Sequence, residues 1–198
     1  MPASGRDVWW GWHRLSRRWA EQLVADARVA PGDLVVDIGA GTGTLTAPLV
    51  AAGARVIAVE LHPTRVAALR ERFAGDPVTV VRADATDLRL PRRPFRVVAN
   101  PPFGATTAIL KRLLAPGSRL VAADLVLPHA AARRWATPRA PGAGRWGHRY
   151  VVGTGRAIPR SAFTPPGTAD CTTLVVRGIY RRPDGDPARP HRRVAGAG

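Results

Sequence analysis

Apolar residues along the chain keep two rhythms, short continuous runs and three- or four-residue spacing. The continuous runs stand at Leu34 to Ile38, Arg55 to Glu60, Val78 to Arg82, Phe95 to Ala99 and Arg119 to Leu127. With so little polar interruption, they predict strands buried on both faces of a parallel sheet. Helical spacing lies between them. Trp19, Leu23, Val24 and Ala27 predict a helix capped by Ser16 and ended by Pro31-Gly32-Asp33. A second helix is expected up to Gly53, and a third opens at Pro63. Strand and helix alternating at this interval predict a doubly wound, mostly parallel α/β sheet, with ligands beyond the carboxyl ends of the strands.

The rhythm changes in the last third of the chain. Thr137 to Gly147 is rich in Pro, Gly and Arg and is expected to be a flexible loop. Tyr150 to Ile158 and Thr172 to Tyr180 are expected to pair antiparallel at the sheet edge, and the Pro-, Gly- and Arg-rich residues beyond Arg182 to form a disordered basic tail. Residues 1–30 are assigned to a basic, aromatic N-terminal segment and helix, 31–182 to the main domain and 183–198 to the tail.

Composition sharpens this picture in two respects. Thirty Lys and Arg against 14 Asp and Glu give a net charge of +16, and Lys111 is the only lysine. A GC-rich genome explains arginine in place of lysine but not an excess of that size. Guanidinium groups grip phosphate oxygens in pairs and stack on bases, so a nucleic-acid partner is expected. Cys171 is the only cysteine, which excludes an internal disulfide and a cysteine-cluster metal site. Without a signal-peptide core or an apolar run of membrane-spanning length, a cytoplasmic protein with no membrane partner and no bound metal is expected.

Candidate chemistry gathers at the predicted strand ends. Asp37-Ile38-Gly39-Ala40-Gly41-Thr42-Gly43 closes the first strand, with glycines spaced G-x-G-x-G rather than the G-x-G-x-x-G of a dinucleotide site. Such a turn lets backbone lie against a nucleoside, with amides at the start of the next helix expected to face it. Glu60 ends the second strand, where a carboxylate can accept from ribose hydroxyls. Asp84 follows the third and is placed to accept from an adenine amino group, with Leu61 and Ala85 flanking the ring; Asp87 competes for that role. Asn100-Pro101-Pro102-Phe103 ends the fourth. The Asn100 side-chain oxygen and Pro101 carbonyl can accept both protons of a planar amine and favour a pyramidal nitrogen, while Phe103 offers its face to the base.

Taken together, these motifs resemble the erythromycin-resistance (Erm) rRNA adenine N6-methyltransferases and the related small-subunit rRNA dimethyladenosine transferases. The resemblance covers about residues 10–180 and includes Val59-Glu60-Leu61, Arg82-Ala83-Asp84-Ala85 and Pro159-Arg160-Ser161-Ala162-Phe163-Thr164-Pro165-Pro166. It implies a class I, Rossmann-like methyltransferase domain and S-adenosyl-L-methionine as cofactor. It further implies an enzyme methylating one adenine in the macrolide-binding region of 23S rRNA, with macrolide, lincosamide and streptogramin B resistance as the consequence. The cofactor residues it implies are His13, Asp37, Gly39, Gly41, Glu60, Leu61, Asp84, Ala85 and Asn100, with Asn100, Pro101 and Phe103 catalytic.

The pattern departs from the family in three places. Gly11-Trp12-His13-Arg14-Leu15 stands where relatives carry G-Q-N/H-F-L, and Pro101 stands where Erm proteins often have Ile or Leu. The chain is also shorter than Erm proteins that continue into a helical RNA-holding domain. The basic N-terminal segment (Arg6, Arg14, Arg17, Arg18), the Arg133 to Arg149 loop (Arg133, Arg134, Arg145, Arg149) and the Arg181 to Arg193 tail are expected to replace it through phosphate contacts. A monomer is expected. Asn-Pro-Pro-Phe also fits a protein glutamine N5-methyltransferase, and a non-catalytic RNA-binding protein on the same fold is a third reading.

Overall fold

Strands with no polar face need a layer of helices on each side, and the computed structural model shows that arrangement. It describes residues 13–167 and 169–179; the N-terminal tryptophans, Tyr180 and the tail lie outside them. In chain order the elements are β1 (Arg14–Leu15), α1 (Arg17–Ala27), β2 (Leu34–Ile38), α2 (Thr46–Ala51), β3 (Arg55–Glu60), α3 (Pro63–Arg72), β4 (Val78–Arg82), β5 (Phe95–Ala99) and α4 (Thr106–Leu113). They continue with β6 (Leu120–Pro128), α5 (His129–Trp135), α6 (Ala143–Trp146), β7 (Tyr150–Ile158), β8 (Phe163–Thr164) and β9 (Cys171–Gly178).

The main sheet has the order β4-β3-β2-β5-β6-β9-β7, with β2 to β6 parallel and β9 antiparallel to both neighbours. β7 and β9 thus pair antiparallel at the edge as expected, with β9 inserted between β6 and β7. All five residues of β2 are buried, and successive residues serve opposite layers. Val36 and Ile38 pack with Ile109, Leu110 and Leu113 of α4 and Trp135 of α5, whereas Val35 packs with Ala20, Leu23 and Val24 of α1 and Leu49 of α2. The doubly wound expectation is borne out.

Several local expectations need correction. The Ser16 side chain makes no capping bond; its carbonyl accepts from Ala20 N, and its amide donates to Ala162 O at 2.7 Å, which extends the short β1–β8 pairing. The helix expected up to Gly53 is only Thr46–Ala51, because Gly39 to Gly43 first fold back on β3. The Arg133 to Arg149 stretch is not a loose loop. It holds α5 and α6, and Trp135, Ala140 and Trp146 are buried in the core that also takes in Tyr150. Aromatic burial outweighed the local Pro and Gly content.

One buried ion pair ties the antiparallel edge to the parallel sheet. Arg177 of β9 donates to both carboxylate oxygens of Asp124 on β6, at 2.8 and 2.9 Å. Burial pushes the Asp124 carboxyl above the ordinary range, against the pull of the guanidinium.

Candidate active site

Four parallel strands end at one rim, and the loops leaving them enclose a cavity of about 430 Å³, within the range of small-molecule sites. Its walls include His13, Gly39, Glu60, Leu61, Asp84, Ala85, Asn100, Pro101 and Phe103. Asp37, Gly41, Gly39, Arg14 and Asn100 line an adjoining chamber of about 20 Å³. The structure therefore brings the cofactor and catalytic candidates from the sequence to one place. It adds Arg65, Arg82 and His62 to the walls, which sequence reasoning missed. Arg65 sits in the first turn of α3, five residues after Glu60, and its Nη1 lies 3.9 Å from Glu60 Oε1; that proximity to a strand-end acid was the available signal.

The glycine loop does more than clear space for a ligand. Gly39 has φ +78°, and a Cβ there would meet Pro102 Cδ at 3.2 Å, so the loop after β2 and the loop after β5 touch through it. The amides of Gly39 and Ala40 both donate to Val59 O at 2.9 Å, and that of Gly41 donates to Glu60 Oε2 at 2.9 Å. Backbone groups left at a strand end take the nearest acceptor, here the end of β3. Glu60 Oε1 accepts from Leu61 N and His62 N at 3.0 and 2.9 Å, so backbone amides hold both oxygens of this buried carboxylate.

Asp37 has the opposite environment. It is 1% exposed; Thr46 Oγ1 donates to Oδ2 at 2.8 Å, and Oδ1 has no hydrogen-bond partner among the described residues. Burial, with the Glu60 charge adding to it, pushes the carboxyl up to about 7. Asp84 is exposed and accepts from both the amide and hydroxyl of Thr86 at 2.7 Å, which holds its carboxyl below the usual range. Asp87 instead pairs with Arg112 and lies outside the cavity wall, so geometry favours Asp84 between the two.

Asn100 is held by the N-terminal segment. Its Nδ2 donates to His13 O at 2.8 Å, which fixes the amide orientation and leaves Oδ1 without a hydrogen bond among the described residues. The His13 ring stacks on Phe103 with centroids 6.4 Å apart and 28° between planes, and meets Phe163 edge-on at 6.4 Å. His13 Nδ1 is buried without a hydrogen-bond partner among the described residues. Two orphaned polar atoms, an apolar wall and a glycine cradle fit a ligand carrying a nucleoside and a charged amino-acid end.

The arginines expected to hold RNA are dispersed. Arg14, Arg17 and Arg18 are exposed near the cavity rim, although Arg17 pairs with Glu21 at 2.8 Å. Arg133 and Arg134 are exposed on α5 and Arg145 on α6. Arg149 is a correction: its Nη atoms donate to Ala115 O and Ser118 O at 3.3 and 2.9 Å, and its guanidinium stacks on Tyr150 at 5.4 Å. Its donors serve carbonyls of the turn that leads into β6, so they are not free for phosphate.

Among the described residues no cluster of His, Cys, Asp and Glu could hold a metal, and no helix is long and apolar enough to cross a membrane. Residues 15–148 match the family model described as ribosomal RNA adenine dimethylase. An rRNA adenine N-6-methyltransferase of Corynebacterium diphtheriae is 35% identical over 79% of this chain and 60% of its own length. A ribosomal RNA small subunit methyltransferase A of Anaeromyxobacter dehalogenans is 34% identical over 93% of this chain and 75% of its own. The chain thus spans about three-fifths of the first relative and three-quarters of the second. The crystal structure of the 23S rRNA methyltransferase ErmE overlays with a TM-score of 0.72 at 27% identity, covering 84% of this chain and 69% of that one. The sheet is that of a Rossmann-like class I methyltransferase, as the motifs implied, and the chain belongs to the ribosomal RNA adenine dimethylase family.

Proposed function

We propose that the protein is an enzyme that transfers a methyl group from S-adenosylmethionine to N6 of an adenine in 23S rRNA, in the macrolide-binding region. The observation that carries this reading is the orientation of Asn100. With Nδ2 committed to His13 O, the side chain presents an acceptor, not a donor, to whatever enters beside Phe103. An acceptor suits an amine with two protons to direct.

When bound, the cofactor supplies an electrophilic methyl group on a sulfonium. Glu60 and Asp84 receive its ribose and adenine, Leu61 and Ala85 flank the ring, and the orphaned oxygen of Asp37 and Nδ1 of His13 suit its charged amino-acid end. Asn100 Oδ1 and the Pro101 carbonyl accept from the two protons of the adenine amine, holding its lone pair toward the methyl group. Phe103, backed by His13, stacks on the base. As the N–C bond forms, the bond from the methyl group to the sulfonium sulfur would break with its electron pair left on sulfur, and the amine would give up one proton to water at the open mouth of the site. Positioning and electrostatics carry the step, and no strong base is required.

The large-subunit assignment draws on the Erm-type motifs and the ErmE overlay, while the Anaeromyxobacter relative points to the small subunit. Mass spectrometry of 23S and 16S rRNA fragments after incubation with protein and cofactor decides between them. A methylated 23S adenine is expected, together with macrolide resistance in a sensitive host. A methyl group found only in 16S rRNA would move the substrate to the small subunit, and none in either RNA would overturn the proposed activity.

A further inference from the structure

Exposed arginines stand at both ends of the sheet. At the carboxyl edge Arg17 pairs with Glu21 and Arg160 with Asp170 at 3.4 Å, while Arg14 and Arg82 line the site. At the amino edge, Arg92, Arg93, Arg119 and Arg145 are exposed and make no hydrogen bond or ion pair among the described residues. No Asp or Glu occurs in residues 89–97, 114–121, 139–151 or 177–179, the segments that build this half of the edge.

The fold gathers these four residues on one face. Phe95 N donates to Arg119 O at 3.2 Å, which sets Arg92 and Arg93, just before β5, beside Arg119, just before β6. Arg149 clips the 115–118 turn to the end of α6 through its two carbonyl bonds, and Arg149 N donates to Trp146 O at 2.9 Å, so Arg145 joins the same face. Ile179 N donates to Arg149 O at 2.8 Å, which holds the last described residues at this edge.

The face lies too far from Asn100 to contact the same few nucleotides. Tyr150 is level with Val121 through Gly178, and Ala99 is level with Leu125. Arg149 and Asn100 each stand one residue further out. Six steps at about 3.3 Å each separate them by about 20 Å along the strands.

We propose that the amino edge of the sheet is a second RNA-contact surface. There Arg92, Arg93, Arg119 and Arg145 bind phosphates of an rRNA segment other than the one that presents the adenine. The inference rests on the rRNA substrate proposed above. It adds that the enzyme recognises folded RNA reaching around the domain, with the amino edge supplying sequence-independent affinity. Unpaired guanidinium groups without neighbouring acids suit phosphate oxygens, which they bind in pairs.

The test compares two RNAs: a short hairpin containing the target adenine, and a folded, domain-sized 23S fragment containing that hairpin. Binding is measured from about 50 to about 300 mM salt for the wild type and for R92A/R93A/R119A/R145A, with melting temperature and cofactor affinity as checks on folding. Four lost phosphate contacts make the slope of log affinity against log salt shallower by about 3 for the fragment, and its affinity falls roughly tenfold or more. In R92A/R93A/R119A, which keeps Arg145, hairpin binding and methylation stay at the wild-type level, and the variant with lysine at all four positions recovers most of the slope. An unchanged fragment slope overturns the proposal. So does an equal loss on both RNAs, which would make the patch part of a general attraction. Binding is read independently of methyl transfer, so wild-type protein that bound the fragment without methylating it would refute the proposed reaction and leave the surface standing.

Discussion

Replacing Asp37 with asparagine removes one charge from a fully buried position, and the consequence for stability follows from the environment of that carboxyl. Its proton affinity rises from an ordinary 3.8 to about 7 on folding. A raised carboxyl favours the folded state while protonated. That contribution is complete below 3.8, is lost as pH climbs through the window up to about 7, and leaves a constant penalty above it. At about 1.4 kcal/mol per tenfold change in proton affinity, the full penalty is about 4 kcal/mol, of which less than half is already present at about pH 5. The amide introduced by Asp37→Asn does not titrate, and all other ionisable groups are common to both proteins. Urea unfolding without cofactor, at about pH 5 and about pH 8.5, therefore reads this carboxyl together with its coupling to Glu60. The stability of Asp37→Asn relative to wild type should rise by about 2–3 kcal/mol between the two pH values, or roughly 5–10 °C in melting temperature. Any fixed cost of placing an amide beside Thr46 cancels in that difference. A gap between the proteins that stays constant across the two pH values would show that Asp37 is not held in a charge-hostile site.

Four further outcomes test other parts of the structure. Asn100→Ala should slow methyl transfer by roughly a hundredfold or more while cofactor affinity stays near wild type; calorimetry with single-turnover kinetics separates the two, and wild-type turnover would exclude the proposed acceptor. Glu60→Gln should behave worse than its shape suggests, because Gly41 N faces one oxygen and Leu61 N and His62 N the other, so either orientation sets NH2 against N–H. It should cost about 1–3 kcal/mol and weaken cofactor binding, read by thermal melts and titration. Gly43→Ala and Gly32→Ala both place a side chain at positive φ, but only at Gly43 would the Cβ meet a ring, Phe73 Cε2 at 2.5 Å. Gly43→Ala should be the more destabilising by about 1–3 kcal/mol in urea unfolding. Arg177→Met should cost about 3–5 kcal/mol by stranding the Asp124 charge, with much of the loss recovered in D124N/R177M.

Strand positions and their parallel pairing were legible because strands buried on both faces must be apolar throughout. Leu34 to Ile38 and Phe95 to Ala99 fit that pattern, and the structure returns them with the same bounds; Val78 to Arg82 also keeps its bounds, but as the edge strand β4 it has no buried residue, against the expectation of burial on both faces. The glycine loop, Glu60, Asp84 and Asn100 to Phe103 were legible for a related reason. Chemistry in a doubly wound sheet belongs at carboxyl strand ends, and residues near those ends in sequence are near one another in space.

Tertiary structure decided whatever depends on partners distant in sequence. Asp37 and Glu60 are both acids at or near a strand end, yet the first has an orphaned oxygen and the second is held by three amides; only the packing of α2 and the fold-back of the glycine loop separate them. The orientation of the Asn100 amide depends on a carbonyl 87 positions away. Trp135 and Trp146 turned a Pro- and Gly-rich stretch into packed structure because the cavity beside Leu120 and Tyr150 needed filling. Arginines that composition could only count were sorted into pairs, clips and an unpaired face by the acids and carbonyls the fold brought beside them. A local pattern records which face of an element is apolar, whereas the partner of each polar group is fixed by the packing of elements that are far apart in the chain.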